Sequence, residues 1–341
     1  MYADQTPVGR TPPWAGRGNR AAVLGSPVGR SLSLTLHRAA HAAMGRDWSY
    51  EAIECDEPAL PALFDSLGDE WAGLCLAEPL KRAVLPLVDE VSDLALDVGG
   101  ADTVVFRHGR SFGDHTGPHG ITTALHEAGL RAPGSAVVLG GGSAACSALA
   151  ALREVGVREP VVVVRERRQA TEVEAAAGRL GVAVDLRHFD ALDRSLQGVA
   201  VVVSTLPAHA ADPLAPTVAH CGAAVLDTAC SAWPTRLTKA AGFAGRTVVD
   251  GLSLRVHRAV RQIELLTGAA DPTVPADPGE LIGRTGGSGA LPAARSGVSA
   301  VSAVSAMSAM RGAARAELMR RAALEADPAV TGGRLRYGRL R

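Results

Sequence analysis

Five short runs in the second half of the chain are apolar almost without interruption: SAVVLGGG (135–142), PVVVVRE (160–166), VAVVVST (199–205), AAVLD (223–227) and TVVDG (247–251). A strand with one face in water alternates polar and apolar residues. Runs without that alternation suit strands covered on both faces, as in a parallel sheet flanked by helices. Helical stretches separate the runs, and the helix LRVHRAVRQIELLTG (254–268) closes the region. This half of the chain is therefore expected to be α/β.

At 341 residues there is room for two domains of ordinary size. Hydrophobic residues make up 47% but aromatics only 4%, so the core has to be built from Val, Leu and Ala. Positive and negative charges balance at 35 each, which gives no basic field for nucleic acid or an anionic membrane. Cys55, Cys75, Cys146, Cys221 and Cys230 form no C-x-x-C pair, which points to a reducing compartment and away from a zinc site or a disulfide frame. No apolar run approaches the roughly 20 residues of a membrane-spanning helix. The expectation is a soluble cytoplasmic protein, monomer or homodimer, acting on a small molecule.

Residues 1–19 carry Pro, Gly and Arg without an apolar stretch and are expected to be a disordered leader, not a signal peptide. From residue 20 strand-like and helix-like segments alternate. AAVLG (21–25) is expected to be the first strand, and SLTLHRAAHAAMG (33–45) has helical spacing and stops at Gly45. Val84, Leu87, Val88, Val91 and Leu94 recur at three and four, which predicts an amphipathic helix after Lys81. Pro, Gly and a Ser/Ala repeat dominate 269–308, which reads as linker; 309–341 reads as a last helix and tail.

The run VVLGGGSAACSALAAL sets Gly140, Gly142 and Ala145 in the pattern G-x-G-x-x-A, directly after a strand and opening a helix. Glycines there let the backbone turn sharply and approach a pyrophosphate, which rests on the free N–H groups of the helix N-terminus. Gly140, Gly141, Gly142, Ser143 and Ala144 are the candidate cradle, with Thr205 and Gly251 at the ends of later strands. The tip of the next strand reads Arg165-Glu166-Arg167-Arg168. Arginines there suit the 2′-phosphate of NADP, while Glu166 leaves NAD open. His108, His115 and His119, with Asp114, are spaced too loosely to carry a metal expectation.

Lysine is nearly absent: of 35 basic residues only Lys81 and Lys239 are lysines. An ammonium can be tuned by its surroundings to give up a proton, whereas a guanidinium cannot. Lys81 is thus either a solvated side chain at a helix start or a proton-handling group.

Four stretches around it, VLGSPVGRSLSLTLH (23–37), GLCLAEPLKRAVLPLVDEVS (73–92), GGADTVV (99–105) and GDHTGPHG (113–120), resemble shikimate dehydrogenases in sequence and order. The glycine loop follows at the expected distance, and DGLSLRVHRAVRQIELLTG (250–268) resembles the family's returning helix. The resemblance implies an N-terminal α/β substrate-binding domain (20–117, completed by 252–268) and a Rossmann-type domain (118–251) with a parallel sheet that binds NADP. It also implies reversible reduction of 3-dehydroshikimate, or a related cyclic hydroxy acid, on the way to aromatic amino acids. By the same resemblance Ser31 and Ser33 hold the substrate carboxylate, Thr116 contacts substrate, and Lys81 moves the hydroxyl proton. As serines at a helix start, Ser31 and Ser33 also suit capping.

Several positions depart from that pattern. Cys75 and Ala77 stand where the family has Asn and Thr, His115-Thr116-Gly117 replaces N-T-D, Asp102 replaces the Asn of V-N-T, and Arg165-Glu166-Arg167 replaces N-R-T. Cys230 and Arg258 stand where a substrate-binding Tyr and Gln are expected. The lost aspartate matters most, since it partners the lysine. Asp102 is the candidate to replace it as a second catalytic residue, and Arg258 is a candidate for an extra carboxylate on an altered substrate. A relative that keeps the fold but serves as a nucleotide- or ligand-binding regulator is the other expectation.

Overall fold

The computed structural model describes residues 18–29, 31–44, 47–229, 234–249 and 251–269. The expected leader up to residue 17, the stop at Gly45, Cys230 and everything from residue 270 onward, including the linker and last helix, lie outside the described residues.

Among the described residues two six-stranded sheets organise the chain. The first contains β1 (Arg20–Gly25), β2 (Ser49–Glu54), β3 (Trp71–Leu76), β4 (Glu90–Val91), β5 (Thr103–Arg107) and β6 (Arg110–Asp114), in the order β2-β1-β3-β5-β6-β4. β1 runs parallel to β2 and β3, and β4 is parallel to β6. β5 is antiparallel to both β3 and β6, as the tight turn at His108-Gly109 requires. The helices of this half are α1 (Leu32–Ala43), α2 (Leu60–Asp65), α3 (Leu80–Ala83) and α4 (Asp93–Val98).

The amphipathic helix expected from Val84 to Leu94 does not form. The chain leaves α3 at Val84, makes a single 3₁₀ turn over Leu85–Leu87 containing Pro86, pairs β4 with β6, and restarts as α4. Proline removes a backbone donor, and Ser92 caps α4 by accepting the Ala95 N–H at 3.1 Å. The three-and-four spacing runs across the end of α3, the 3₁₀ turn, β4 and α4; Val84, Leu87, Val88 and Val91 share one core with Leu74, Leu76 and Leu80, whereas Leu94 packs against the core that contains Val98 and α6.

α5 (Gly117–Glu127) leads into the second half, which alternates β7 (Ala136–Leu139), α6 (Ser143–Glu154), β8 (Val161–Val164), α7 (Thr171–Leu180), β9 (Asp185–His188), α8 (Leu192–Ser195), β10 (Val201–Ser204), α9 (Ala215–His220), β11 (Ala224–Asp227), α10 (Arg236–Phe243) and β12 (Val248–Val249). All its strands are parallel, in the order β12-β11-β10-β7-β8-β9. The direction of winding reverses between β7 and β10, the doubly wound arrangement in which ligands sit beyond the carboxyl ends of the strands. Every residue of β7, β10 and β11 is buried, as their unbroken apolar runs predict. One face of this sheet packs under α6 and α7, and the other packs on Leu192, Val218, Leu237 and Ala241.

α11 (Gly251–Thr267) then returns to the first half. Val256, Ala259, Val260 and Ile263 interlock with Leu36 and Ala40 of α1. This return brings Arg258 and Gln262 to residues more than 150 positions earlier.

Candidate active site

The two halves meet near Lys81, where Glu78 and Arg82 touch Ser143 and Glu172. The Lys81 ammonium lies 2.9 Å from a Glu78 carboxylate oxygen, and only 14% of the lysine side chain is exposed. The same Glu78 oxygen accepts a hydrogen bond of 2.6 Å from Ser143, the first residue of α6. Burial pushes the Glu78 carboxyl up, but the ammonium and the Ser143 bond outweigh it and hold the group below the usual carboxylate range. Glu78, Lys81, Arg82, Ser143 and Glu172 line a cavity of about 260 Å³ between the halves. Arg82 crosses it to Glu172 at 3.0 Å.

A second cluster forms just before β5. Asp102 is completely buried. One carboxylate oxygen accepts from the Thr103 hydroxyl at 2.8 Å and from the Thr116 backbone N–H and hydroxyl at 2.9 and 2.8 Å. The other faces Arg258 Nε at 3.1 Å and His115 Nδ1 at 3.5 Å. Burial works against this charge, yet Arg258, His115 and Lys81 together hold the carboxyl well below its ordinary range. The structure thus pairs Asp102 with Arg258 and Lys81 with Glu78, so Asp102 is not the direct ion partner of the lysine. The reason is local: Arg258 arrives on α11 next to Asp102, and Glu78 sits three residues before Lys81 across a turn.

His115 occupies the space left by the bare position 117. A Cβ built on Gly117 would lie 2.8 Å from His115 Cε1. The Gly117 N–H donates to His115 Nδ1 at 3.2 Å, while His115 Nε2 is buried without a hydrogen-bond partner among the described residues. Burial lowers this imidazole to about 4, against the pull of Asp102.

Of the two serines, Ser31 stands at the start of α1 without a side-chain capping bond. Ser33 shares a hydrogen bond of 3.0 Å with the Tyr50 hydroxyl, and Tyr50 stacks on His37 at 4.0 Å between ring centroids. His37 Nε2 meets Gln262 Oε1 at 3.3 Å, and Gln262 Nε2 donates to Thr103 Oγ1 at 3.1 Å. A buried polar ladder therefore links the Ser33 region to Asp102. Cys75 lies beside it, 3.9 Å from His37 Nε2, its thiol pushed up to about 12 by burial. That thiol is packing, not a nucleophile.

The glycine loop leaves β7 at its carboxyl end. Gly140 has φ +111°, and a Cβ there would press within 2.6 Å of Thr205 Oγ1. Thr205 itself is tied to Leu139 O through its hydroxyl at 2.9 Å, which locks the two strand ends at the reversal point. A Cβ on Gly141 would lie 2.4 Å from Gln169 O. At Gly142, which caps α6, a Cβ would meet no protein atom within 4 Å. The first two glycines serve the fold, while the third faces open space at a helix N-terminus, which fits a dinucleotide pyrophosphate. At the tip of β8, Arg167 pairs with Glu174 at 2.9 Å and Arg168 with Glu166. Arg165 is exposed. Gly251 is the buried first residue of α11.

The structure brings Lys81 to Ser143, and Asp102 to Thr116 and Arg258. Sequence reasoning missed Glu78 and underrated His115. The spacing of three between Glu78 and Lys81 was the available signal for the first. Among the described residues no group of three or more His, Cys, Asp or Glu is placed to hold a metal, and no helix is long and apolar enough to cross a membrane.

Comparison with known proteins agrees with this architecture. Residues 23–104 match the family described as shikimate dehydrogenase substrate binding domain. A shikimate dehydrogenase (NADP(+)) of Thermus thermophilus is 40% identical over 138 residues, 40% of this chain and 52% of that protein, so this alignment spans about half of the relative. The shikimate dehydrogenase (NADP(+)) of Methylobacterium radiotolerans is 33% identical over 267 residues, 75% of this chain and 94% of that protein. The crystal structure of a Thermus thermophilus shikimate 5-dehydrogenase in complex with NADP(H) and shikimate superposes with a TM-score of 0.64 at 32% identity, covering 74% of this chain and 95% of that one. With near-complete coverage of a relative above 30% identity and the same two-sheet fold, the chain belongs to the shikimate dehydrogenase family.

Proposed function

We propose that the protein is an NADP-dependent dehydrogenase that interconverts a cyclic hydroxy acid and its ketone, 3-dehydroshikimate and shikimate or a close relative. Residues 20–117 with 252–268 form the substrate half, and 118–251 the nucleotide half. The observation that carries this reading is the Lys81–Glu78–Ser143 contact, which sets a largely buried lysine side chain against the helix that follows the glycine loop. Relatives bearing the NADP(+) name, and a family structure holding NADP(H) and shikimate, support the choice of cofactor and substrate class.

The 140–144 loop and the N-terminus of α6 would hold the pyrophosphate, with Arg165 placed for a 2′-phosphate. NADP, when bound, supplies or accepts the hydride. Lys81 gives a proton to the carbonyl oxygen as it is reduced and takes it back from the hydroxyl in reverse, general acid–base work of about 10²–10⁴-fold. Asp102 holds Thr116 and Arg258 in place along the cleft, and Ser31 and Ser33 lie at the start of α1 for the carboxylate. Cys75, Ala77 and Gly117 offer a polyol ring fewer hydrogen bonds than Asn, Thr and Asp would, which favours a related acid with altered substituents. The bare position 117 is also the observation that favours a nucleotide-binding relative without turnover.

Nicotinamide absorbance with NADP⁺ and shikimate, then with quinate-like and dehydroxylated cyclic acids, tests the reading. Reduction of NADP⁺ by one of them supports it. No reduction by any of them, with NADPH still binding, would favour the non-catalytic relative.

A further inference from the structure

A lysine that moves a proton has to be aimed, and nothing at position 117 can aim this one. Gly117 has no side chain, and the His115 ring fills the space beside it. The carboxylate that does reach the ammonium is Glu78, at 2.9 Å, three residues before Lys81 and separated from it by Pro79-Leu80. We propose that Glu78 is the positioning carboxylate of Lys81, and that through Ser143 it ties the lysine to the first turn of the cofactor-loop helix. This rests on Lys81 being the proton-transfer residue.

Exposed pairs at this spacing contribute little, because water screens them and both side chains lose freedom. This pair differs. The Lys81 side chain is 14% exposed, so its ammonium depends on a partner, while Glu78 is 52% exposed on the cavity wall. The oxygen that meets Lys81 also takes the Ser143 hydroxyl at 2.6 Å, so two contacts from opposite halves fix one carboxylate. Charge-assisted bonds of this kind are the strong ones. The halves are pinned nearby by Arg82 to Glu172 and by Arg179 Nε donating to Asp97 O, both at 3.0 Å. Among the described residues Asp102 and His115 also bear on Lys81 and Glu78, and Glu57, Arg82 and Glu172 line the same cavity. Asp102 is held by Arg258, and the His115 ring already accepts the Gly117 N–H.

The chain offers an unusual probe, since Lys81 and Lys239 are its only lysines. Lys239 is exposed on α10 and serves as internal reference for competitive labelling with acetic anhydride, read by peptide mass spectrometry. In Glu78→Gln, Lys81 should be acetylated faster relative to Lys239 at neutral pH, because removing a neighbouring negative charge releases an ammonium proton more readily. In the oxidative direction kcat should fall about tenfold or more, since a loosened group is misaligned, with KM for the acid changed less than about threefold. The rise of kcat with pH should move to lower pH. Glu78→Asp should recover part of the loss, and Ser143→Ala should give a smaller shift in the same direction.

Unchanged kcat, pH profile and labelling ratio in Glu78→Gln would overturn the proposal. So would a loss of turnover that comes with a lowered melting temperature and an unchanged labelling ratio, which would make Glu78 merely structural. If Lys81→Arg keeps full turnover, the proton-transfer reading itself fails, whereas failure of Glu78→Gln alone removes only the positioning role.

Discussion

Replacing Arg258 by alanine removes the full positive charge that stands against a carboxylate water does not reach. Asp102 is completely buried, and Arg258 Nε stands 3.1 Å from its second oxygen. At that separation and an effective dielectric constant of about 20, the attraction is roughly 5 kcal/mol. Deleting one partner of a buried pair costs about 3–5 kcal/mol. Three features pull the figure down here. The first carboxylate oxygen keeps its three bonds from Thr103 and Thr116, and the Arg258 side chain is 26% exposed, so water can enter where it leaves. The Arg258 N–H is also not aligned on the carboxylate oxygen it faces. The expected loss in Arg258→Ala is therefore about 2–3 kcal/mol, at the low end for a buried pair.

The pH dependence has a definite sign. The folded state holds Asp102 below its unfolded value, so its contribution is complete above that unfolded value and is lost as pH falls through the folded one. Without Arg258 the depression shrinks. The gap between variant and wild type in urea unfolding should then be full at pH 7 and narrow as the buffer drops below about pH 4. Asp102→Asn added to Arg258→Ala should recover at least half of the loss, because it removes the unpaired charge. A variant within about 0.5 kcal/mol of wild type, or a double variant no more stable than the single, would refute the reasoning.

The site makes further tests available. Gly117→Asp drives a side chain into the His115 ring and should cost about 2 kcal/mol by overpacking, while His115→Asn in the same chain should relieve it. Equal unfolding midpoints for Gly117→Asp with and without His115→Asn would contradict the exchange of space. Gly142→Ala meets no protein atom within 4 Å, so it should cost less than about 1 kcal/mol as a helix cap yet weaken NADPH binding tenfold or more in a fluorescence titration. Unchanged NADPH affinity would mean that the loop does not cradle the cofactor.

Most of the second half was legible because β7, β8, β10 and β11 are almost wholly buried, so VVVV and VVVS could be little else, and because glycine chemistry marks the turn after β7; the edge strand β9, DLRH, is exposed or half-buried and carries no such run. The first half hid more. β2 reads SYEAIE and has mixed burial, so neither a continuous apolar run nor strict alternation identified it. Val84, Leu87, Val88 and Val91 share one core from the end of α3, a 3₁₀ turn and β4, while Leu94 on α4 packs against another, so several short elements mimic the period of a single helix. At the site, the lysine stood out because the chain otherwise uses arginine. Its partner did not, since a carboxylate three residues away looks like any surface pair until Ser143 arrives from the other half. The Asp102–Arg258 pair spans 156 positions and depends on the return of α11, which sequence spacing alone does not encode.

The proposed reaction depends on Lys81 as the group that moves the proton, and Lys81→Arg removes that capacity alone. Arginine keeps the charge and much of the volume but does not release its proton. With NADP⁺ and the best cyclic acid substrate, Lys81→Arg should lose about a hundredfold or more in kcat while binding NADPH as the wild type does. Turnover within about threefold of wild type would show that no proton passes through this residue.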